Sequence, residues 1–106
     1  MKGQRFIVAA MLLAASSATW AVEGDAEAAK EKISMCVGCH GIPGYRTAFP
    51  VVYHVPKLGG QHPAYIVAAL KAYQAGERSH PSMQAIAASL SEQDMADLAA
   101  YYGGAQ

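Results

Sequence analysis

The run Cys36-Val37-Gly38-Cys39-His40 sets two thiols and an imidazole within one short segment, and it holds both of the chain's cysteines. Cys-x-x-Cys followed directly by His is the attachment signature of a c-type haem. Two thiols at that spacing reach the two vinyl groups of one porphyrin, and the adjoining imidazole can ligate the iron from the same side. A thioredoxin-like dithiol would need a βαβ context that the flanking sequence does not offer. A zinc site would need a second ligand cluster, and no second cysteine pair exists.

Residues 1–21 read as a secretory leader. Lys2 and Arg5 form its charged start, Phe6 to Ala15 its apolar run, and Thr19-Trp20-Ala21 a small-x-small cleavage site. Cleavage after Ala21 leaves one domain over 22–106. The apolar run is far shorter than the ~20 residues a spanning helix needs, so stable membrane insertion is not expected after cleavage; an uncleaved anchor is the alternative. Removing Lys2 and Arg5 takes the 8 basic residues to 6 against 8 acidic ones, a balance of −2. Nucleic-acid binding would call for a strongly basic patch or stripe, and none is present. A domain this small has little surface to bury, so a cofactor in its core would add needed stability.

Periodicity predicts an all-α domain of four short helices with no convincing strand. The first spans Asp25 to about Met35, with Ala26, Ala29 and Ile33 on one face, and runs into the cysteine motif. Gly41, Pro43, Gly44, Pro50 and Pro56 then mark a long loop despite Val51, Val52 and Tyr53. A loop of that length is usually functional or wrapped around something. Pro63 suits the first turn of a second helix, in which Ile66, Ala69, Leu70 and Tyr73 fall at helical spacing and Gly76 is the stop. Met83, Ile86, Ala87 and Leu90 repeat the spacing in a third. Ser91-Glu92-Gln93-Asp94 resembles a capping box ahead of Met95, Leu98, Ala99 and Tyr102, with Gly103-Gly104 closing the last helix.

The motif makes His40 the proximal iron ligand. For the opposite face the candidates are His54, His62, His80, Met35, Met83 and Met95. Met95 lies on an apolar helix face where a thioether fills core. Met35 is covalently too close to the attachment site, and His62, just before Pro63, is the N-terminal residue of a helix. Pro81 holds His80 in an extended turn, and His54 lies in the long loop. Met83 follows the Arg78 to Pro81 connector, which could cross the haem face; it also opens an apolar stripe, so pattern alone reads it as core. A haem fixed by His40 reverses that preference, because the other face needs a ligand or an open site.

Taken together, Cys36 to His40, Pro56-Lys57-Leu58-Gly59-Gly60-Gln61, Tyr65, Leu70, Gly76-Glu77-Arg78, Met83 and the helix from Leu90 to Tyr102 resemble the class I bacterial cytochromes c. The likeness is greatest to small periplasmic monohaem carriers and to the single-haem halves of dihaem cytochromes, and it covers almost all of 22–103. It implies crossed first and last helices with the rest of the chain wrapped around one covalent haem c. It implies Cys36 and Cys39 as thioether positions and Met83 as distal ligand. The Pro56 carbonyl would accept a hydrogen bond from the second nitrogen of His40, which orients the ring and raises its basicity. Leu58 and Leu70 would line the pocket, and Tyr65 and Arg78 would approach the propionates. The loop from Gly41 to Val55, with Tyr45, Arg46, Phe49, Tyr53 and His54, looks longer and more aromatic than the family's usual connection. It would cover the haem edge or form a partner surface.

The function so implied is a periplasmic one-electron carrier without enzymatic activity, docking briefly with a protein donor and a protein acceptor. Lys32, Lys57 and Lys71 are candidate docking charges, although a near-neutral domain shows no one-sided field. The resemblance also admits pairing with a second cytochrome. Two rival readings are a fixed cytochrome subunit of a dehydrogenase or oxidase, and a five-coordinate haem enzyme in which Met83 is only core.

Overall fold

The computed structural model describes residues 22–49 and 52–104. The leader expected over 1–21 lies outside the described residues. Five helices and one small ribbon make up the rest: α1 (Ala26–Ala29), α2 (Ser34–His40), β1 (Arg46–Thr47), β2 (Tyr53–His54), α3 (Pro63–Ala75), α4 (Pro81–Ala88) and α5 (Glu92–Gly103). Among the described residues no helix is long and apolar enough to cross a membrane.

The helical class is as expected, and two details differ. The first expected helix is split. Asp25 caps α1 by accepting from the backbone N–H groups of Glu27 (2.9 Å) and Ala28 (3.3 Å). A tight turn over residues 30–33 follows, and helix resumes through the cysteine motif to His40. The bonds Lys30 N–H to the Glu27 carbonyl and Lys32 N–H to the Ala29 carbonyl span three residues, the tighter 3₁₀ pattern that separates the two pieces. The continuation matters, since helical spacing sets Cys36, Cys39 and His40 at i, i+3 and i+4 on one face.

The second difference lies in the expected loop, which carries an antiparallel ribbon pairing Arg46 with His54 and Thr47 with Tyr53. The Thr47 hydroxyl donates to the Tyr53 carbonyl at 3.3 Å, and Val55 N–H extends the ribbon to the Tyr45 carbonyl at 3.0 Å. Thr and Tyr favour extended backbone. The prolines that suggested an uninterrupted loop, Pro43 and Pro56, flank the strands and do not enter them; Pro50 and Val51 lie outside the described residues.

α3 begins as predicted with Pro63 and ends at Gly76, whose φ of 78° is the left-handed cap conformation. Glu77 and Arg78 N–H both return to the Ala72 carbonyl, at 2.9 and 3.1 Å, which turns the chain sharply into the connector. The Gln74 amide donates to the carbonyls of Ala87 and Leu90 (3.0 and 2.9 Å), fastening α3 to the end of α4. The capping box of α5 is complete: Asp94 N–H donates to the Ser91 hydroxyl at 3.0 Å and Ser91 N–H to the Asp94 carboxylate at 2.9 Å.

The core gathers Ala29, Ile66, Leu70, Leu90, Met95, Leu98, Ala99 and Tyr102, so α1, α3 and α5 meet in one cluster. Fully burying each large apolar side chain is worth about 1.5–3 kcal/mol. Met95 is entirely buried there, in the core-filling role its position indicated. The chain entering α1 lies so close to α5 that a Cβ on Gly24 would collide with the Ala96 carbonyl.

Candidate functional site

The core opens on one side into a cavity of ≈ 300 Å³, a size suited to a small-molecule or cofactor site. Cys36, Cys39, His40, Pro56, Leu58, Tyr65, Leu70, Arg78 and Met83, all picked out from sequence, line it together. They come from α2, the segment after the ribbon, α3, the connector and α4, which only the fold brings into one place.

His40 closes α2, and its Nδ1 lies 2.7 Å from the Pro56 carbonyl oxygen. A carbonyl can only accept, so Nδ1 carries the proton and Nε2 keeps its lone pair for a metal. Proline needs no side-chain chemistry for this: a carbonyl oxygen at that point of the chain is enough. Cys36 is half-buried and Cys39 exposed, and both thiols are free. Burial pushes the Cys36 thiol up, while the facing Tyr102 hydroxyl acts in the opposite sense.

Met83 sits in the first turn of α4. Its N–H donates to Nδ1 of His80, which caps the helix at 3.4 Å. That assigns one imidazole nitrogen of His80 to a structural task, and the ring also meets Tyr53 edge-on at 5.2 Å. Met35 and His80 reach the cavity wall; His54, His62 and Met95 do not. His62 occupies the N-cap of α3 as expected, although its side chain makes no capping bond.

Arg78 lies over the Tyr73 ring, 4.8 Å from its centroid, and donates to the Tyr65 hydroxyl at 3.4 Å. A guanidinium held between two tyrosines at the edge of an apolar cavity is a ready anion contact. Of the proposed docking lysines, Lys57 borders the cavity, whereas Lys71 pairs with Glu92 at 3.0 Å and Lys32 with Asp94 at 2.6 Å and Asp97 at 2.9 Å.

Thr47 and Tyr53, from the loop expected to cover the haem edge, reach the wall through the ribbon, whereas Tyr102, which the sequence presents as one residue of an apolar stripe, is a wall residue that sequence reasoning misses. Tyr102 is 9% exposed, and its hydroxyl is buried without a hydrogen-bond partner among the described residues.

These residues fit a covalently attached porphyrin. Two thiols and an imidazole with a free Nε2 share one wall, Leu58, Ile66, Leu70 and Leu98 supply apolar surface for a macrocycle, Arg78 can meet carboxylates, and a thioether stands on another wall. Among the described residues no three His, Cys, Asp or Glu side chains gather as a site for a bare ion.

Comparison with known proteins gives the same result. Cytochrome c-554(548) of Halomonas halodenitrificans is 43% identical over 82 residues, covering 74% of this chain and 94% of the relative. Cytochrome c4 of Pseudomonas aeruginosa is 37% identical, covering 74% of this chain but only 37% of the relative. A solved cytochrome c4 from Acidithiobacillus ferrooxidans superposes with a TM-score of 0.55 at 37% identity, covering 70% of this chain and 43% of that one. The chain thus spans well under half the length of the cytochromes c4 it matches. The pattern that defines the cytochrome c family matches residues 26–102, and the chain belongs to that family.

Proposed function

We propose that the chain, after loss of residues 1–21, is a periplasmic one-electron carrier holding a single haem c through Cys36 and Cys39, with His40 and Met83 as axial ligands. The observation that carries this reading is the 2.7 Å bond from His40 Nδ1 to the Pro56 carbonyl. It fixes the tautomer, turns Nε2 to the cavity and makes the ring a stronger donor. Bound there, the haem supplies an iron that gains and loses one electron.

The protein's own residues do the remaining work. The apolar wall keeps water from the centre, and a thioether ligand in such a setting favours the reduced state. With both axial positions taken by side chains no site is open to a substrate, which agrees with an electron-transfer protein and not an enzyme. Arg78, with Tyr65, offsets the propionate charge at the pocket edge. Phe49 and Val52, 88% and 65% exposed, flank the ribbon strands that carry the cavity-lining Thr47 and Tyr53, and offer redox proteins a small apolar contact.

The test is a reduced-minus-oxidised spectrum, an intact mass and a redox titration of mature protein made alongside haem-attachment machinery. A colourless product without the added mass of one haem would end the proposal.

A further inference from the structure

We infer that Tyr102 is a positioning residue for the attachment wall: in the haem-loaded protein its hydroxyl donates a hydrogen bond to the Cys36 sulfur and raises the reduction potential of the centre. The inference rests on the reading that Cys36 carries the haem.

Its basis is an unpaired polar group in an apolar place. Tyr102 is 9% exposed, lines the cavity with Cys36, and no described residue hydrogen-bonds its hydroxyl. Leaving such a group unpaired costs its full desolvation free energy, and phenylalanine would fill the same volume without that cost. The residue is also held in place: its carbonyl accepts from Gly60 N–H at 2.9 Å, and its ring meets Tyr101 edge-on at 5.0 Å.

Cys36 packs against the core cluster that contains Tyr102 and lines the same cavity wall, close enough for each to influence the other's ionisation. As a free thiol, Cys36 competes as a donor and is a poor partner. Alkylation of the sulfur removes its proton and leaves lone pairs, so the phenol becomes the sole donor of the pair. An O–H dipole with its positive end toward the macrocycle stabilises an added electron, and the apolar surroundings strengthen the effect.

The experiment compares wild type with Tyr102→Phe, both haem-loaded. The variant is expected to have a lower midpoint potential, by about threefold in the ferrous–ferric equilibrium or about 28 mV at 59 mV per decade for one electron. In wild-type ferrous protein, proton NMR should show a slowly exchanging hydroxyl proton with a through-space contact to the Cys36 β protons, absent in the variant. An unmoved or raised potential overturns the inference, even if stability falls; because loosened packing that admits water would also lower the potential, a wild type without the NMR contact overturns it as well. Should the variant fail to retain haem, the wild-type NMR decides, and a missing contact overturns it. A colourless wild type instead defeats the underlying haem reading, and the two failures are distinguishable by eye.

Discussion

Lys32 and Asp97 lie 65 residues apart in sequence, yet the Lys32 ammonium donates to Oδ2 of Asp97 at 2.9 Å. The other oxygen of Asp97 accepts from Asp25 N–H at 2.9 Å and from the Gln93 amide at 2.8 Å. One carboxylate, 2% exposed, therefore ties the start of α1 and the turn after it to α5.

Acid should loosen this tie. Bonds from Lys32 and the Ser91 backbone hold Asp94 down at about 2, and Asp25 N–H, Gln93 and Lys32 lower Asp97 as well. Carboxyls with depressed folded-state values stabilise above their ordinary value of 3.8 and lose that contribution as pH falls toward the folded value. Denaturant unfolding of the loaded protein should therefore show stability dropping between about pH 4 and pH 2. Asp97→Asn should lose about 2 kcal/mol at pH 7, the worth of hydrogen bonds to a charged acceptor, and should flatten that acid slope.

Gly24 gives a steric prediction. Its missing side chain leaves room for the Ala96 carbonyl, and a Cβ would also sit 3.0 Å from the Ala100 methyl. Gly24→Ala should destabilise by about 1–3 kcal/mol, the usual range for overpacking. Thermal unfolding of the loaded protein measures it; an unchanged midpoint would mean that α1 does not dock this closely.

Gly76 isolates a purely conformational effect. A Cβ there would meet nothing within 4 Å, but φ is 78°. Gly76→Ala should cost about 1–2 kcal/mol from the left-handed backbone alone, while Gly76→Asn, which tolerates that region better, should cost less. Equal losses in both variants would point to another cause.

Legibility followed locality. Cys36, Cys39 and His40 were readable because their chemistry depends on neighbours in sequence, and the same holds for the Ser91–Asp94 box and the Gly76 stop. Pro56 was reachable only through family resemblance, because a backbone carbonyl leaves no mark in composition. Asp97 escapes notice and Lys32 reads only as a docking charge, since a polar residue beside an apolar stripe looks solvated until a distant segment covers it. The ribbon was hidden by prolines that flank its strands. Extension of helix through the motif was hidden by Gly38, a poor helix former that α2 nonetheless contains.

Met83 is the most direct test of the ligand assignment. Pro81 starts α4, the His80 imidazole caps it, and Met83 N–H is the group capped, so the first turn is fixed and the Met83 side chain faces the cavity. If its sulfur serves the iron, Met83→Ala should abolish the weak ferric charge-transfer band in the red, admit carbon monoxide to the reduced protein and lower the midpoint potential. The half-buried truncation itself should cost about 2 kcal/mol, too little to unload a covalently held group. His80→Ala separates ligation from capping. It removes an N-cap acceptor worth about 1 kcal/mol and should leave the red band intact, whereas a wild type without that band, opened to carbon monoxide by His80→Ala and not by Met83→Ala, would assign the sixth position to the histidine.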